Sequence, residues 1–350
     1  MSERRRRPLW MKVVVPAAAF VSAMLVMAVV AGAADIYLQN HYRRSFGLNV
    51  WGYRGLVVGK KQPGEQRIAV LGGSTAYGYG VKVEESFPAI LEEKLNARRQ
   101  ADGGGPVTVV NLGFNNEGAY SYKYTLRDYE YLDYDVVFLY AGYNDLGGPN
   151  TQVFRHQFPL FRLTGHVPIL PLVIKERAMA LRYGDIDAAY RGDKTTFTPN
   201  RTAAATAATL EAAANVTASL ERQLARFADE YEFDTSPDAL CPGDWDFFCR
   251  QMHDAIELAL SMGKRVIVAT DPYMTSPTAH EKQPAQRRAL ESMLAARFAG
   301  RGVAYRSMGD TIDMADSSLQ FDGMHLTALG NEKLAEALVG PVLDILRISE

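Results

Sequence analysis

From about residue 65 onward, short runs of apolar residues alternate with amphipathic stretches. This alternation is typical of βαβ units, in which each amphipathic helix packs on a sheet of parallel strands. The predicted strands are 67–71, 107–112, 135–140, 265–270 and 303–306. The predicted helices are 88–99, 121–131, 245–262, 284–298 and 328–347. Because crossovers between parallel strands are right-handed, the pattern predicts an α/β fold, a three-layer α/β/α sandwich on a five-stranded parallel sheet.

The first 35 residues have the character of a membrane segment. Four arginines at positions 4–7 precede a run without charge, 13–34, which is long enough for a helix across a hydrocarbon layer of about 30 Å. The basic cluster before this run predicts a cytoplasmic N-terminus and an exported remainder. Small residues at 31–33 also match the cleavage site of a signal peptide, but the apolar run exceeds the usual length of about 7–15 residues. We therefore expect a retained transmembrane helix, with a cleaved signal peptide as the alternative.

One connection between predicted strands is unusually long. About 120 residues separate Asn144 from Arg265, whereas an ordinary βα loop has a few. The connection contains an apolar stretch with prolines at 158–174, which is expected to pack in the core or to contact a membrane, and a predicted helix at 203–231. The predicted division of the chain is a basic cytoplasmic segment 1–12, a transmembrane helix 13–34, a linker 35–64, a main domain of 65–145 and 264–350, and an inserted helical cap 146–263.

The composition excludes several classes of function. The formal net charge is -2 with acidic and basic residues interspersed, so the sequence shows no concentration of positive charge that would attract nucleic acid. The sequence has no Gly-rich phosphate loop, haem motif or cluster of metal ligands, which predicts that the protein needs neither a cofactor nor a metal.

The two cysteines lie close together in the long connection. Cys241 and Cys249 bracket a turn-forming segment that begins with Pro242-Gly243. In an oxidising compartment the two thiols are expected to close a small loop as a disulfide, and two unpaired thiols are the alternative.

Polar signatures follow three of the predicted strands, at the end where ligands bind in open α/β sheets. They are Gly72-Gly73-Ser74 after the first strand, Gly113 after the second and Gly142-Tyr143-Asn144-Asp145 after the third. Glycines allow a sharp turn that brings a serine to this edge. An Asn side chain at a strand end can donate its amide to a developing oxyanion. Each signature alone is equally consistent with an ordinary turn.

A carboxylate precedes a histidine by three residues near the C-terminus. Asp322 can reach the ring Nδ1 of His325 across one turn. Such a bond fixes the tautomer and leaves Nε2 as a base directed toward a serine.

Taken together and in this order, the four blocks resemble those that define the SGNH hydrolase family, which includes the GDSL-like esterases. The resemblance covers about residues 65–145 and 264–345 and implies a flavodoxin-like fold. It implies that Ser74 is the nucleophile, His325 the general base and acid, and Asp322 the orienting carboxylate. It further implies an oxyanion hole made by the backbone N–H groups of Ser74 and Gly113 with the side chain of Asn144.

The chain departs from the family pattern at one position. The family's common first block has Asp immediately before the serine, where this chain has Gly73. The Asp is not a member of the triad, so the departure puts in doubt only the local hydrogen bonding around the turn.

The resemblance implies hydrolysis or transfer of an acyl group from an ester by way of an acyl-enzyme on Ser74. An exported, tethered domain favours a glycan of the envelope or the extracellular space, carrying acetyl groups, and Tyr77 and Tyr143 are expected to bind its sugars. The alternatives are a lysophospholipase-like lipid esterase, with 158–174 contacting the acyl chain, and a catalytically silent binding module in an envelope assembly. The acceptor, water or a sugar hydroxyl, and the oligomeric state stay open.

Overall fold

The computed structural model describes residues 9–42, 47–101, 103–183, 201–210, 212 and 239–347. Of the predicted helix 203–231, residues 203–210 are helical, and nearly all of the remainder lies outside the described residues. The chain forms two compact units, one of 1–42 with 168–223 and one of 43–167 with 224–350.

The five predicted strands form one parallel sheet in the second unit. They are β1 (Gln66–Gly72), β2 (Val107–Asn111), β3 (Val136–Ala141), β4 (Arg265–Thr270) and β5 (Val303–Arg306), in the order β2-β1-β3-β4-β5. Strand β1 lies between β2 and β3, so that Ile68 lies opposite Val109 and Val136. The three central strands are buried on both faces, which explains why their sequences are continuous apolar runs.

Helices cover both faces of this sheet. The helices of the two units include α1 (Leu9–Tyr42), α2 (Ser74–Tyr77), α3 (Phe87–Ala101), α4 (Ala119–Asp128), α5 (Pro159–Thr164), α6 (Leu170–Tyr183), α7 (Asp246–Ser261), α8 (Pro277–Phe298) and α9 (Ala328–Arg347), of which α1 and α6 belong to the first unit. Ile68 and Val70 of β1 pack in the cluster with α3 and α9, whereas Ala69 and Leu71 pack with α4, α7 and α8. The predicted three-layer sandwich is confirmed.

The N-terminal helix α1 is longer than the predicted span 13–34. Its segment Val14–His41 has the length and composition of a helix that could cross a membrane. At 1.5 Å per residue these 28 residues extend over about 42 Å. Phe20 and Val29 are examples of the large apolar side chains that α1 leaves exposed. Within the same unit the backbone N–H of Leu170 donates to Asp35, so that α6 begins against the C-terminal part of α1.

The segment 35–64 differs from the predicted linker. Residues 35–42 continue α1, and Tyr53 is buried in the core of the second unit. Arg54 forms an antiparallel bridge with Asn111 at the end of β2, and its guanidinium lies 4.2 Å from the centre of the Tyr77 ring. The sequence did not indicate this packing because single polar and aromatic side chains make it, without a repeating pattern.

The predicted insertion 146–263 also has different boundaries in the structure. Helix α7 packs Phe248 and Met252 against the sheet, as a helix that precedes a parallel strand normally does. Residues up to 167 belong to the same compact unit as the sheet. Cys241 and Cys249, at the start of α7, form a disulfide with Cα atoms 6.0 Å apart. The ends of the long connection are therefore part of the sandwich.

Candidate active site

Ser74 is the first residue of α2 and follows β1 after a single glycine. Gly73 has an extended backbone, and Gly78 ends α2 in the left-handed conformation, where its N–H bonds the carbonyls of Ser74 and Thr75. A strand, a sharp turn and a short helix therefore present the Ser74 hydroxyl at the carboxyl edge of the sheet.

His325 lies between Ser74 and Asp322. Its Nε2 is 2.8 Å from Ser74 Oγ, and its Nδ1 is 2.6 Å from Asp322 Oδ2. The other carboxylate oxygen, Oδ1, accepts the backbone N–H groups of His325 and Met324. The structure thus brings the three predicted triad residues into one continuous chain of hydrogen bonds.

The environment of Asp322 keeps this carboxylate ionised. Burial alone would raise its pKa, but the hydrogen bonds from His325 and Met324 and the charge of His325 together lower the pKa below its ordinary value. An ionised Asp322 accepts a hydrogen bond from the Nδ1–H of His325, so that Nε2 can accept the proton of a hydroxyl.

The two other predicted oxyanion donors lie beside the segment that carries Ser74, Asn144 against Gly73 and Gly113 against Ala76 and Tyr77. One N–H of the Asn144 amide donates to the carbonyl of Glu117 at 2.8 Å, which fixes the orientation of the second N–H. The Gly113 N–H donates to Asn111 Oδ1 at 3.0 Å. A Cβ on Gly113 would lie 2.7 Å from the Tyr77 nitrogen, so only glycine lets this strand end pack on α2.

The position that departs from the family pattern is explained by Asn144. A Cβ on Gly73 would lie 2.0 Å from the amide nitrogen of Asn144. No side chain fits at this position while the Asn144 amide stays where it is. The glycine at position 73 and the observed conformation of the Asn144 side chain are therefore each required for the other.

The two tyrosines predicted to bind substrate are mostly buried. Tyr77 and Tyr143 are 9% and 8% exposed, and the Tyr143 hydroxyl donates to the carbonyl of Pro272. Their predicted role in binding stays a prediction. The exposed aromatic side chains at this site are Tyr79 and Phe321, which are 45% and 49% exposed.

Tyr79 and Phe321 flank the imidazole of His325. The ring centres of Tyr79 and Phe321 lie 4.8 and 5.8 Å from that of His325, and the Phe321 ring is stacked. A Cβ on Gly80 would lie 2.5 Å from the Phe321 ring, so glycine leaves the space that the ring needs. The sequence analysis did not predict Phe321 as a residue of this site, although its position four residues before the histidine was a signal.

A buried ion pair supports the loop that holds Asn144. Arg155 lies 3.2 Å from Glu117, the residue whose carbonyl accepts the Asn144 amide. Arg155 also donates to the carbonyl of Leu112, immediately before Gly113. Both charged side chains are at most 3% exposed. Sequence reasoning missed this pair because nothing local indicates that residues 38 apart meet.

Two further carboxylates are buried at the same edge of the sheet. Burial and the charge of Asp271 raise the pKa of Asp145 to about 7, although the Ala119 N–H partly offsets the increase. Burial raises the pKa of Asp271 to about 6, against the opposing effect of its hydrogen bonds. Asp271 was missed, although an acidic residue directly after a buried strand was a signal. Within the described ranges, no three His, Cys, Asp or Glu side chains are grouped to hold a metal.

One protein family and several solved structures are similar to this chain. Residues 70–333 match the model of the GDSL-like lipase/acylhydrolase family. Similar solved structures include a member of the lipolytic protein G-D-S-L family from Veillonella parvula, with 13% identity, 79% of this chain and 97% of that chain covered, and a TM-score of 0.42. A family 3 carbohydrate esterase from Clostridium thermocellum has 14% identity, 81% and 98% coverage and a TM-score of 0.42. A variant of an acetyl-xylooligosaccharide esterase from Geobacillus has 14% identity, 78% and 92% coverage and a TM-score of 0.41.

The comparison with curated proteins found no match for this chain. The family model matches well over half of the sequence, across the sheet, Ser74 and His325. The chain belongs to the GDSL-like lipase/acylhydrolase family.

Proposed function

We propose that the protein is a membrane-anchored serine esterase that acts outside the cytoplasm and removes or transfers an acetyl group of an envelope or extracellular glycan. The observation that carries the proposal is the chain of hydrogen bonds from Ser74 through His325 to Asp322. A hydroxyl, an oriented imidazole and an ionised carboxylate in this order form the arrangement that activates a serine nucleophile.

In the proposed reaction, His325 Nε2 takes the proton from Ser74 as Oγ attacks the carbonyl carbon of the ester. The oxyanion accepts hydrogen bonds from the backbone N–H groups of Ser74 and Gly113 and from the second N–H of the Asn144 amide. The Gly113 N–H donates to Asn111 Oδ1 in this structure. As the oxyanion develops, this N–H donates either to the oxyanion instead of to Asn111 or to both oxygens.

Collapse of this intermediate breaks the bond to the alcohol, which leaves with the proton from His325. His325 then takes a proton from water or a sugar hydroxyl, which attacks the acyl group on Ser74. The bond between the acyl carbon and Oγ breaks, and Oγ takes the proton from His325. The ionised Asp322 stabilises the imidazolium during both steps.

The exposed rings of Tyr79 and Phe321 support a carbohydrate substrate. Both rings lie against the imidazole of His325 and are about half exposed, so a substrate that reaches His325 can contact them. Exposed aromatic rings offer an apolar face on which the C–H groups of a sugar can pack. Because both rings belong to loops that follow Ser74 or precede His325, they are fixed relative to the reacting atoms.

Two features support a location outside the cytoplasm. Helix α1 is apolar over a sufficient length to span a membrane, and the arginines at 4–7 precede it. The Cys241–Cys249 disulfide fits an oxidising compartment. A helix of this kind near an N-terminus serves either as an anchor or as a cleaved signal; we propose the anchor because of its length.

A second candidate is a lipid esterase. Helix α5, in the apolar stretch 158–174, leaves Leu160 and Leu163 exposed. The exposed Trp51 lies beside Gly165 at the end of this helix. Such an apolar surface would suit a substrate with a long acyl chain.

The test measures turnover of p-nitrophenyl acetate, butyrate and octanoate by the full-length chain in detergent micelles. Ser74→Ala is the test variant, and Ser317→Ala, an exposed serine, is the matched control. We expect the highest kcat/KM with acetate, complete loss in Ser74→Ala and no change in Ser317→Ala. A preference for octanoate would favour the lipid esterase. A folded protein that neither turns over an ester nor reacts with a fluorophosphonate at Ser74 would overturn the enzymatic proposal in favour of a silent binding module.

A further inference from the structure

Asp271 connects the ends of three neighbouring strands. It directly follows β4, and its side chain is buried. Its Oδ1 accepts the hydroxyl of Thr75 at 2.9 Å, and its Oδ2 accepts the backbone N–H of Tyr143 at 3.0 Å. Thr75 follows β1 and Tyr143 follows β3, so one carboxylate after β4 bonds the segments that follow the adjacent strand β3 and the next strand in the sheet, β1.

Both bonded residues are adjacent to residues of the proposed catalytic machinery. Thr75 is the residue after Ser74, in the single turn of α2. Tyr143 is the residue before Asn144. The two oxygens of Asp271 therefore hold the segment of the nucleophile and the segment of the oxyanion donor at a fixed separation.

The residues around Asp271 leave room for its carboxylate at the end of β3. A Cβ on Gly142 would lie 3.2 Å from Asp271 Oδ2, and the φ of Gly142 is +150°, which favours glycine. Gln286 of α8 donates to the Gly142 carbonyl at 3.1 Å and so also holds this strand end.

We propose that Asp271 is a positioning residue that sets the distance between the Ser74 hydroxyl and the Asn144 amide. The inference rests on the proposed function, because it assigns these two groups to one reaction. Asp271 touches neither substrate nor reacting atoms in this proposal; it acts through Thr75 and Tyr143.

A carboxylate suits this position because it has two acceptor oxygens in a fixed plane. Burial of the group carries a cost, which is consistent with the raised pKa of Asp271. An asparagine can keep both contacts, since its oxygen accepts the Tyr143 N–H and its amide donates to the Thr75 oxygen. An alanine can keep neither, and leaves the N–H buried without a partner.

The experiment compares two pairs of variants in the full-length chain in detergent, with p-nitrophenyl acetate as substrate. Asp271→Ala removes both bonds, whereas Asp271→Asn preserves them without the charge. Thr75→Val removes the hydroxyl that donates to Asp271, whereas Thr75→Ser keeps it. Asp344→Ala, on the exposed side of α9, is the control.

We expect Asp271→Ala and Thr75→Val to lower kcat about ten- to a hundredfold, with KM within about threefold, because a small misplacement of reacting groups has effects of this size. Asp271→Asn and Thr75→Ser should each recover most of the loss. The double variant Asp271→Ala/Thr75→Val should lower kcat no further than Asp271→Ala alone, since Asp271→Ala already removes the contact that Thr75→Val removes.

Three results would overturn the inference. They are a folded Asp271→Ala protein with the kcat of the wild type, losses that multiply in the double variant, and equal losses in Asp271→Asn and Asp271→Ala. If Asp271→Ala does not fold, the comparison of Thr75→Val with Thr75→Ser decides, and equal kcat in these two contradicts the role.

The proposed function fails in a different way. If the wild type does not turn over the ester but reacts with a fluorophosphonate at Ser74, the same variants are compared by the rate of that reaction. A wild type without either activity overturns the proposed function before any variant is considered.

Discussion

The hydroxyl of Ser74 and Nε2 of His325 lie 2.8 Å apart, although 251 positions separate the two residues in the chain. The contact joins the turn after β1, the first strand in the chain, with the loop before α9, the last helix. The sheet and the helix α9 set this distance, because β1 and α9 pack in the same hydrophobic cluster.

Asp322→Asn should lower kcat on p-nitrophenyl acetate about a hundredfold or more, the usual size of a general-base contribution. The asparagine cannot stabilise the imidazolium and can hold His325 in the wrong tautomer. Steady-state kinetics of the full-length chain measure the effect, with the exposed Asp344→Asn as the control. A wild-type kcat in a folded Asp322→Asn protein would show that His325 acts without this carboxylate.

Gly73→Asp, which restores the residue common in the family, should lower activity in this chain. A side chain at position 73 displaces the Asn144 amide, since its Cβ would lie 2.0 Å from that nitrogen. We expect kcat to fall about a hundredfold or more, in line with the loss of one oxyanion donor. Gly73→Ala should have a similar effect, because the clash begins at the Cβ. An active Gly73→Asp protein would mean that Asn144 is not a donor in the position described.

Stability should decrease as the pH rises from about 4 to 7. Burial raises the pKa of Asp271 to about 6 and that of Asp145 to about 7, whereas in the unfolded chain both lie near 3.8. Between these values the folded protein holds protons that the unfolded chain has released. The free energy of unfolding therefore falls with pH, by up to about 1.4 kcal/mol per pH unit for each proton.

Thermal unfolding in detergent at a series of pH values measures this dependence. Asp145→Asn should flatten the curve between pH 5 and 7, because the amide does not titrate. Asp310→Asn, an exposed carboxyl, should leave the curve unchanged. A wild-type protein that becomes more stable across this window would contradict the raised pKa values.

Breaking the buried Arg155–Glu117 pair should destabilise the protein strongly. Arg155→Met leaves the Glu117 carboxylate buried without its partner, an effect of about 3–5 kcal/mol in other proteins. The matched control is Arg301→Met, which breaks the exposed pair of Arg301 with Glu257 and should change stability little. Urea unfolding measures both, and a small effect of Arg155→Met would show that the Glu117 charge is not held by this pair.

The fold could be predicted largely because the strands have a local signal. Residues 265–270 and 303–306 were predicted as strands, and β4 and β5 have the same bounds. Helix α8 begins at Pro277 rather than at Pro284, because a proline suits the first turn of a helix and the sequence offers two such positions. The later of the two lies inside the helix.

The candidate site was predictable only where chemistry follows a motif. Ser74, Asn144, Asp322 and His325 each stand in a short pattern at a strand end or final loop. Asp271 and Arg155 act through residues distant in sequence, and their contacts depend on which strands become neighbours. The burial of Tyr77 has the same origin, since Arg54, from a segment without periodicity, covers its ring.

The most direct test of the central claim is the detection of an acyl-enzyme. The full-length chain is mixed with p-nitrophenyl acetate, quenched in acid within the first turnover and digested for mass spectrometry. We predict one acetyl group on the peptide that contains Ser74, its absence in Ser74→Ala, and its accumulation in His325→Ala at a lower rate. Turnover of the ester with no acetyl group on Ser74, or with the acetyl group on another residue, would contradict the serine mechanism.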